Sequence, residues 1–176
     1  DETVNHKIWE RGMQKPPRRI NVVVTREEGF PIEVKIDEVN VLSEAKDFVV
    51  STSSLKEVRE FSREIFDKIN LPQDQKDELV LAIAEAAQNI VKHGYKGVEE
   101  TTDRMEIKIS LEDNNLEIGF FDKGKAVVPE NVQHRKLDDI KPGGLGTFFI
   151  KQIMDAAVFK KDEKGWVNHL ILTKKI

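Results

Sequence analysis

Two short runs constrain this chain more tightly than anything else in it. Met105 to Leu111 and Leu116 to Phe120 each alternate apolar and polar residues, with Asp113-Asn114-Asn115 between them. A period of two marks a half-buried strand, and Asx residues favour a tight turn. The pair therefore predicts an antiparallel hairpin with one buried face. The elements that can cover that face lie just upstream. Leu55, Val58, Phe61, Ile65 and Ile69 recur at spacings of three and four, which makes one helical stripe. Ser54-Leu55-Lys56-Glu57 predicts a capping box at its start, and Pro72 a stop. A second helix, over about Asp74 to His93, puts Leu79, Ile83, Ala86, Ala87 and Ile90 on one face, and Gly94 ends it. Asp47 to Thr52 reads as a strand ahead of both helices. Beyond the hairpin, residues from about Lys125 to Pro142 read as a long polar loop and Thr147 to Asp155 as a helix. Ala156 to Phe159 and Trp166 to Thr173 read as a closing hairpin, turned by Asp162-Glu163-Lys164-Gly165. The order strand, helix, helix, two strands, helix, two strands implies an α+β fold. It is a two-layer α/β sandwich with a mixed, mostly antiparallel sheet and its helices on one face.

At 176 residues, one domain with an appendage accounts for the chain, and its core needs no disulfide or metal staple. There is no cysteine, which excludes a disulfide framework, a thiolate nucleophile, thiolate zinc sites and iron–sulfur ligation. A formal charge of −4 gives no global attraction to nucleic acid. Apolar runs are too short to span a membrane. The chain opens on Asp1, which points to a processed product or a piece of something longer, and it carries no signal-peptide pattern. Residues 1–46 read as an extension or linker. Arg11, Lys15, Pro16, Pro17, Arg18 and Arg19 form a basic, proline-broken stretch, followed by strands at Ile20 to Val24 and Pro31 to Ile36 that Glu27-Glu28-Gly29 can join as a hairpin. A structural or interdomain arm explains this segment better than a nucleic-acid contact.

Three stretches can carry chemistry. On the second helix Glu85, Asn89 and His93 follow one another at single turns, along a stripe that flanks the apolar face. The Asn89 amide oxygen can ligate a hard cation such as magnesium, and the Glu85 carboxylate can orient or deprotonate a hydroxyl. A solvated helix edge would look the same. Asp122-Lys123-Gly124 ends an apolar strand. Its carboxylate can accept from an exocyclic amine, and Gly124 lets a ring approach, although a plain strand-ending turn needs no more. Gly143-Gly144-Leu145-Gly146-Thr147 puts three glycines ahead of an apolar helix, where free amides and the helix N-terminus can wrap a phosphate. A flexible hinge is the simpler alternative. No Gly-Lys-Ser/Thr follows, so this is not a P-loop.

Taken together and in this order, Glu85-Ala86-Ala87-Gln88-Asn89, Asp122-Lys123-Gly124 and Gly143-Gly144-Leu145-Gly146 resemble the N box and two glycine boxes of the GHKL ATP-binding superfamily. The run Leu81 to Tyr95, the run Gly143 to Asp155 and the ending Asn168 to Lys174 resemble one branch, the anti-sigma factor serine kinases of the RsbW and SpoIIAB type. The resemblance covers about residues 47–176. It departs at Lys125-Ala126-Val127-Val128-Pro129, where many relatives carry a second glycine or a Phe-Asp pair, and at Thr147, where an aliphatic residue is common.

The resemblance implies a GHKL (Bergerat) sandwich over residues 47–176 that holds ATP and Mg2+. It assigns Glu85 as the catalytic carboxylate and Asn89 as the magnesium ligand. Asp122 would read the adenine amine with Gly124 beside the base, and Gly143, Gly144, Leu145, Gly146 and Thr147 would hold phosphate, with Thr173 also in the nucleotide site. The implied activity is phosphorylation of a serine on a STAS-domain anti-anti-sigma factor, alternating with sequestration of a sigma factor, in the cytoplasm, with no direct role for nucleic acid or membrane. The family also admits a homodimer. Lys123, Lys125, Lys141, His134, Arg135 and Lys136 could add charge near phosphate or partner, while His93 is expected to pack or hydrogen-bond near the helix end. The alternative is a non-catalytic ATP-binding module that sequesters a partner, or the output domain of a larger signalling protein. A histidine-kinase catalytic domain ranks lower, because His6 lies in a linker-like context without a long preceding helix.

Overall fold

The computed structural model describes residues 2–7, 18–25, 33–98, 100–127, 145–160 and 165–176, with the backbone alone for those before Val41 and for Leu145. In chain order the elements are β1 (Glu2–Lys7), β2 (Arg18–Thr25), β3 (Glu33–Val49), α1 (Leu55–Phe66), α2 (Gln73–Asn89), β4 (Arg104–Glu112), β5 (Asn115–Asp122), α3 (Leu145–Ile153), β6 (Ala156–Lys160) and β7 (Asn168–Lys175). The spatial order is β1-β2-β3-β4-β5-β7-β6. A sheet expected to be mixed and mostly antiparallel is antiparallel at every described pairing. The reason is the connections. Two successive helices bring the chain from β3 back to β4 in the opposite sense, and hairpins make most of the other turns. The strand β3 is 17 residues long. Its first half pairs with β2 and its second half, Val41 to Val49, pairs with β4, so it runs straight through residues 46 and 47.

The period-two pattern does what it predicts. Met105, Ile107, Ile109 and Leu111 of β4 and Leu116, Ile118 and Phe120 of β5 are buried, against Leu55, Val58, Phe61 and Ile65 of α1 and Leu79, Ile83, Ala86 and Ala87 of α2. Phe48 of β3 meets Phe61 edge-on, ring centres 5.7 Å apart. Burial of this kind contributes about 1.5–3 kcal/mol for each large side chain and holds the helical layer to one face. The helix α2 lies between α1 and α3. Val80, Ala82 and Ala84 are therefore buried as well, on flanks that a single amphipathic stripe does not anticipate.

Two local expectations need correction. Ser54 does not cap α1. Its backbone is already helical (φ −74°, ψ −14°), which turns its hydroxyl away from the first-turn amides, and a short 3-10 turn, Thr52–Ser54, precedes the helix with Ser51 accepting from the Ser53 N–H at 3.2 Å. Pro72 does not stop α1, which ends six residues earlier at Phe66; it stands as the residue before α2. The expected loop from Lys125 to Pro142 lies outside the described residues beyond Val127. No helix among the described residues is long and apolar enough to cross a membrane.

Candidate functional site

The helix α2 brings the predicted groups together. Glu85 and Asn89 sit one turn apart on it, both half-buried. Among the described residues, neither side chain makes a hydrogen bond or ion pair, so a carboxylate and a carboxamide remain available to a ligand. Directly after Asn89 the helix widens into a π turn, Ile90–Gly94, a feature often found at functional sites. Gly94 closes that turn without a positive φ. It faces the end of β5 instead: a Cβ placed on it would lie 3.7 Å from Asp122 Oδ1 and 3.9 Å from Gly124 Cα.

At this end Asp122 is buried, 5% exposed. Its Oδ1 accepts from the Gly124 N–H at 2.8 Å and from Asn168 Nδ2 at 2.9 Å. Oδ2 meets no donor among the described residues, which leaves it for a ligand N–H. Burial pushes the Asp122 carboxyl above the usual carboxylate range, and the two hydrogen bonds pull part of the way back. Gly124 is required by contact. A Cβ there would come within 2.7 Å of the Gly94 carbonyl oxygen and 2.9 Å of Tyr95 Cε2. Lys125 N–H donates to the same Gly94 oxygen at 2.8 Å. Tyr95 is buried and donates to Asp103 Oδ2 at 3.1 Å; burial and Asp103 push its hydroxyl far up. The Asp-Lys-Gly turn is thus clamped onto the end of α2.

The other end of the site is at the start of α3. Gly146 stands so close to Glu85 that a Cβ there would run into its carboxylate, and would lie 3.2 Å from its Cδ. The N-terminus of α3, with its free amides, therefore meets Glu85 directly. One helix carries both ends: Glu85 at Gly146, and Gly94 at Asp122 and Gly124. Nine residues of helix separate them, roughly 13 Å, with Asn89 between. That layout suits an elongated ligand with an amine-bearing ring at one end and anionic groups at the other.

The sequence profile of the histidine kinase-like ATPase domain matches residues 48–174. The chain belongs to that ATPase family. Membership of that family implies that the domain binds ATP. The ATPase domain is similar to the serine-protein kinase RsbW of Bacillus licheniformis, 31% identical over 102 residues, covering 52% of this chain and 61% of that one. It is also similar to the RsbW of Staphylococcus epidermidis, 24% identical over 119 residues, covering 63% and 74%. The first of these relatives is matched over about three fifths of its own length. A solved structure of the RsbU and RsbW domains of a Mycobacterium tuberculosis protein shares the fold, with a TM-score of 0.53 at 17% identity, covering 76% of this chain and 32% of that chain. The GHKL-type sandwich and the resemblance to RsbW serine-protein kinases both follow from these likenesses.

Within this ATPase domain the predicted residues do not all converge. Glu85, Asn89, Asp122, Gly124 and Gly146 gather along the last turns of α2 and the π turn that follows it. Thr147 is buried on α3, and Leu145 begins that helix. Gly143, Gly144, Lys141, His134, Arg135 and Lys136 lie outside the described residues. His93, expected to pack or hydrogen-bond near the helix end, is exposed on the π turn. Lys123 sits over the Trp166 ring, 5.6 Å from its centre. Thr173 is not brought to the site. It pairs with Glu117 and Ala156, while Asp122 pairs with Asn168. Five residues along a strand is about 17 Å, and the odd offset turns the side chain to the opposite face. Asn168 and Tyr95 are the groups that motif reasoning passed over. The signal for Asn168 was its place as the first polar residue of β7, opposite the end of β5.

Proposed function

We propose that this domain is an ATP-dependent serine-protein kinase of the anti-sigma type. In this reading it phosphorylates a small STAS-fold partner in the cytoplasm and, with that partner modified, sequesters a sigma factor. The observation that carries the reading is the meeting of Glu85 with Gly146 at the start of α3. A carboxylate held beside a phosphate-binding helix terminus is where an incoming serine hydroxyl has to be oriented. Asp122 Oδ2 accepts from the adenine amine, and Gly124 lets the turn that carries Asp122 close against Gly94 and Tyr95. The amides at Gly146 and the preceding glycines hold phosphate. Asn89, one turn from Glu85 and without a partner among the described residues, presents an amide oxygen suited to magnesium, which would neutralise phosphate charge when bound. Phosphoryl transfer is mostly positioning and charge neutralisation, so these few groups suffice. RsbW relatives bear the name serine-protein kinase, which supports the kinase side of the reading.

The deciding experiment incubates the protein with γ-labelled ATP, magnesium and a STAS protein. Phosphoserine should form on the partner, and Glu85→Gln should lower its rate by about 10²–10⁴-fold while ATP binding persists. ATP uptake without transfer to any STAS protein would leave a non-catalytic sequestering module as the reading.

Gly146 offers a finer test. A Cβ there displaces only the far end of a flexible side chain, so Gly146→Ala should change the melting temperature little, or raise it through better helix propensity. The displaced carboxylate is the Glu85 group that orients the serine. Transfer should therefore slow by as much as ~100-fold in a single-turnover assay, the scale of a small misplacement of a catalytic group.

A further inference from the structure

Asn168 is 7% exposed and spends its whole carboxamide on three neighbours. Nδ2 donates to Asp122 Oδ1 at 2.9 Å and to the Lys125 carbonyl at 3.2 Å, and Oδ1 accepts from the Val127 N–H at 2.9 Å. The adjoining residue closes the same corner, with the Val167 N–H donating to the Asp122 carbonyl at 2.9 Å. Lys125 is held from its other side by the Gly94 oxygen at 2.8 Å. One side chain on β7 thus touches both the base-reading carboxylate and the backbone that leaves β5.

We infer that Asn168 is a positioning residue of the ATP site, a brace that sets the rotation of the Asp122 carboxylate and pins Lys125 and Val127 to the same point. The inference rests on the adenine-reading role given above to Asp122. Two donors on Oδ1, from Gly124 and from Asn168, fix the carboxylate plane. With that plane fixed, Oδ2 is the acceptor left for the 6-amine of the base. Without Asn168 the carboxylate keeps one anchor and can rotate, and the same loss frees the Val127 amide. Base recognition and the path of residues 125–127 therefore depend on one group.

Calorimetry with Asn168→Ala tests this, using magnesium with ATP and, in parallel, purine riboside triphosphate, which lacks the 6-amine. ATP affinity should fall about 10- to 100-fold, the scale of a lost hydrogen bond to a charged group, while the amine-free nucleotide changes far less. The preference between the two nucleotides then collapses, which a general loss of stability does not produce. Hydrogen exchange at the Val127 amide should accelerate in the same variant. An equal fall for both nucleotides, or an unchanged preference, overturns the inference. If Asn168→Ala does not fold, Asn168→Asp keeps the size and the acceptor for Val127 but loses the amide donors. It should lose the nucleotide preference while Val127 stays protected, and a retained preference overturns the brace. Failure of the unsubstituted protein to prefer ATP over the amine-free nucleotide would instead remove the role of Asp122 itself.

Discussion

Replacing Asp122 with Asn should make the empty protein more stable and nearly unable to bind ATP. Both internal hydrogen bonds fall on Oδ1, and an asparagine can present its own oxygen there to Gly124 and Asn168. What changes is the other position, where an acceptor becomes an N–H donor facing the donor amine of adenine. The lost charged bond and the opposed donors should cost ATP at least about 100-fold in affinity by calorimetry. A 6-oxo base presents an acceptor there, so inosine triphosphate should lose much less and can overtake ATP. The stability effect has the opposite sign. Burial raises the Asp122 carboxyl above its value in the unfolded chain, so the folded protein holds that proton more tightly. Above the folded-state pKa the ionised group opposes folding. As pH falls through that pKa towards the unfolded value, protonation relieves the opposition, and below both values the relief is complete. Asn carries no such charge at any pH. The variant should therefore melt higher than the parent at neutral pH, with the gap closing on acidification. A lower melting temperature at pH 7 would contradict a desolvated carboxylate, and intact ATP affinity would contradict its role.

Gly124→Ala is the second large effect, and here stability and binding fall together. The added Cβ meets backbone atoms of Gly94 and the Tyr95 ring at under 3 Å, and Tyr95 is pinned through Asp103. None of these can step aside, so the turn must move away from α2. Overpacking of this kind costs roughly 3 kcal/mol, which in a chain of this length lowers the melting temperature by about 6–12 °C. The same displacement separates Asp122 from the rest of the site and should weaken ATP binding. Gly94→Ala makes the control. Its Cβ finds only ordinary contacts at 3.7 Å and beyond, so it should melt close to the parent. Equal behaviour of the two variants would mean that the close approach belongs to neither glycine.

The sandwich was legible because its signals are local. Period-two runs in β4 and β5 and period-3.6 runs in α1 and α2 state which face is buried without knowledge of what covers it. The burial of Val80, Ala82 and Ala84 was not legible, since it depends on α1 and α3 packing on either side of α2, and α3 arrives from about sixty residues further along the chain. The capping box at Ser54 matched in pattern and failed in conformation: only the backbone angles reveal that the chain had already turned helical by that residue. In the candidate site, the motifs name Glu85, Asp122 and Gly146, and the fold brings them to the last turns of α2 and its π turn. Thr173 was carried over with the ending of a family strand, whereas the residue that faces Asp122 is fixed by strand register, which places Asn168 there. Register depends on pairing between β5 and β7, and no single segment records it.

The length of β3 bears on how this protein can be trimmed. The family match begins at residue 48, which invites a shortened version that starts there. Such a cut severs the strand and strips β4 of the neighbours it has from Val41 to Asp47, which leaves Glu106 to Glu112 as a raw hydrogen-bonding margin. Bare margins of that kind recruit other chains, and the shortened protein would be expected to clump. A version that keeps the chain from Val41 onward retains the seal.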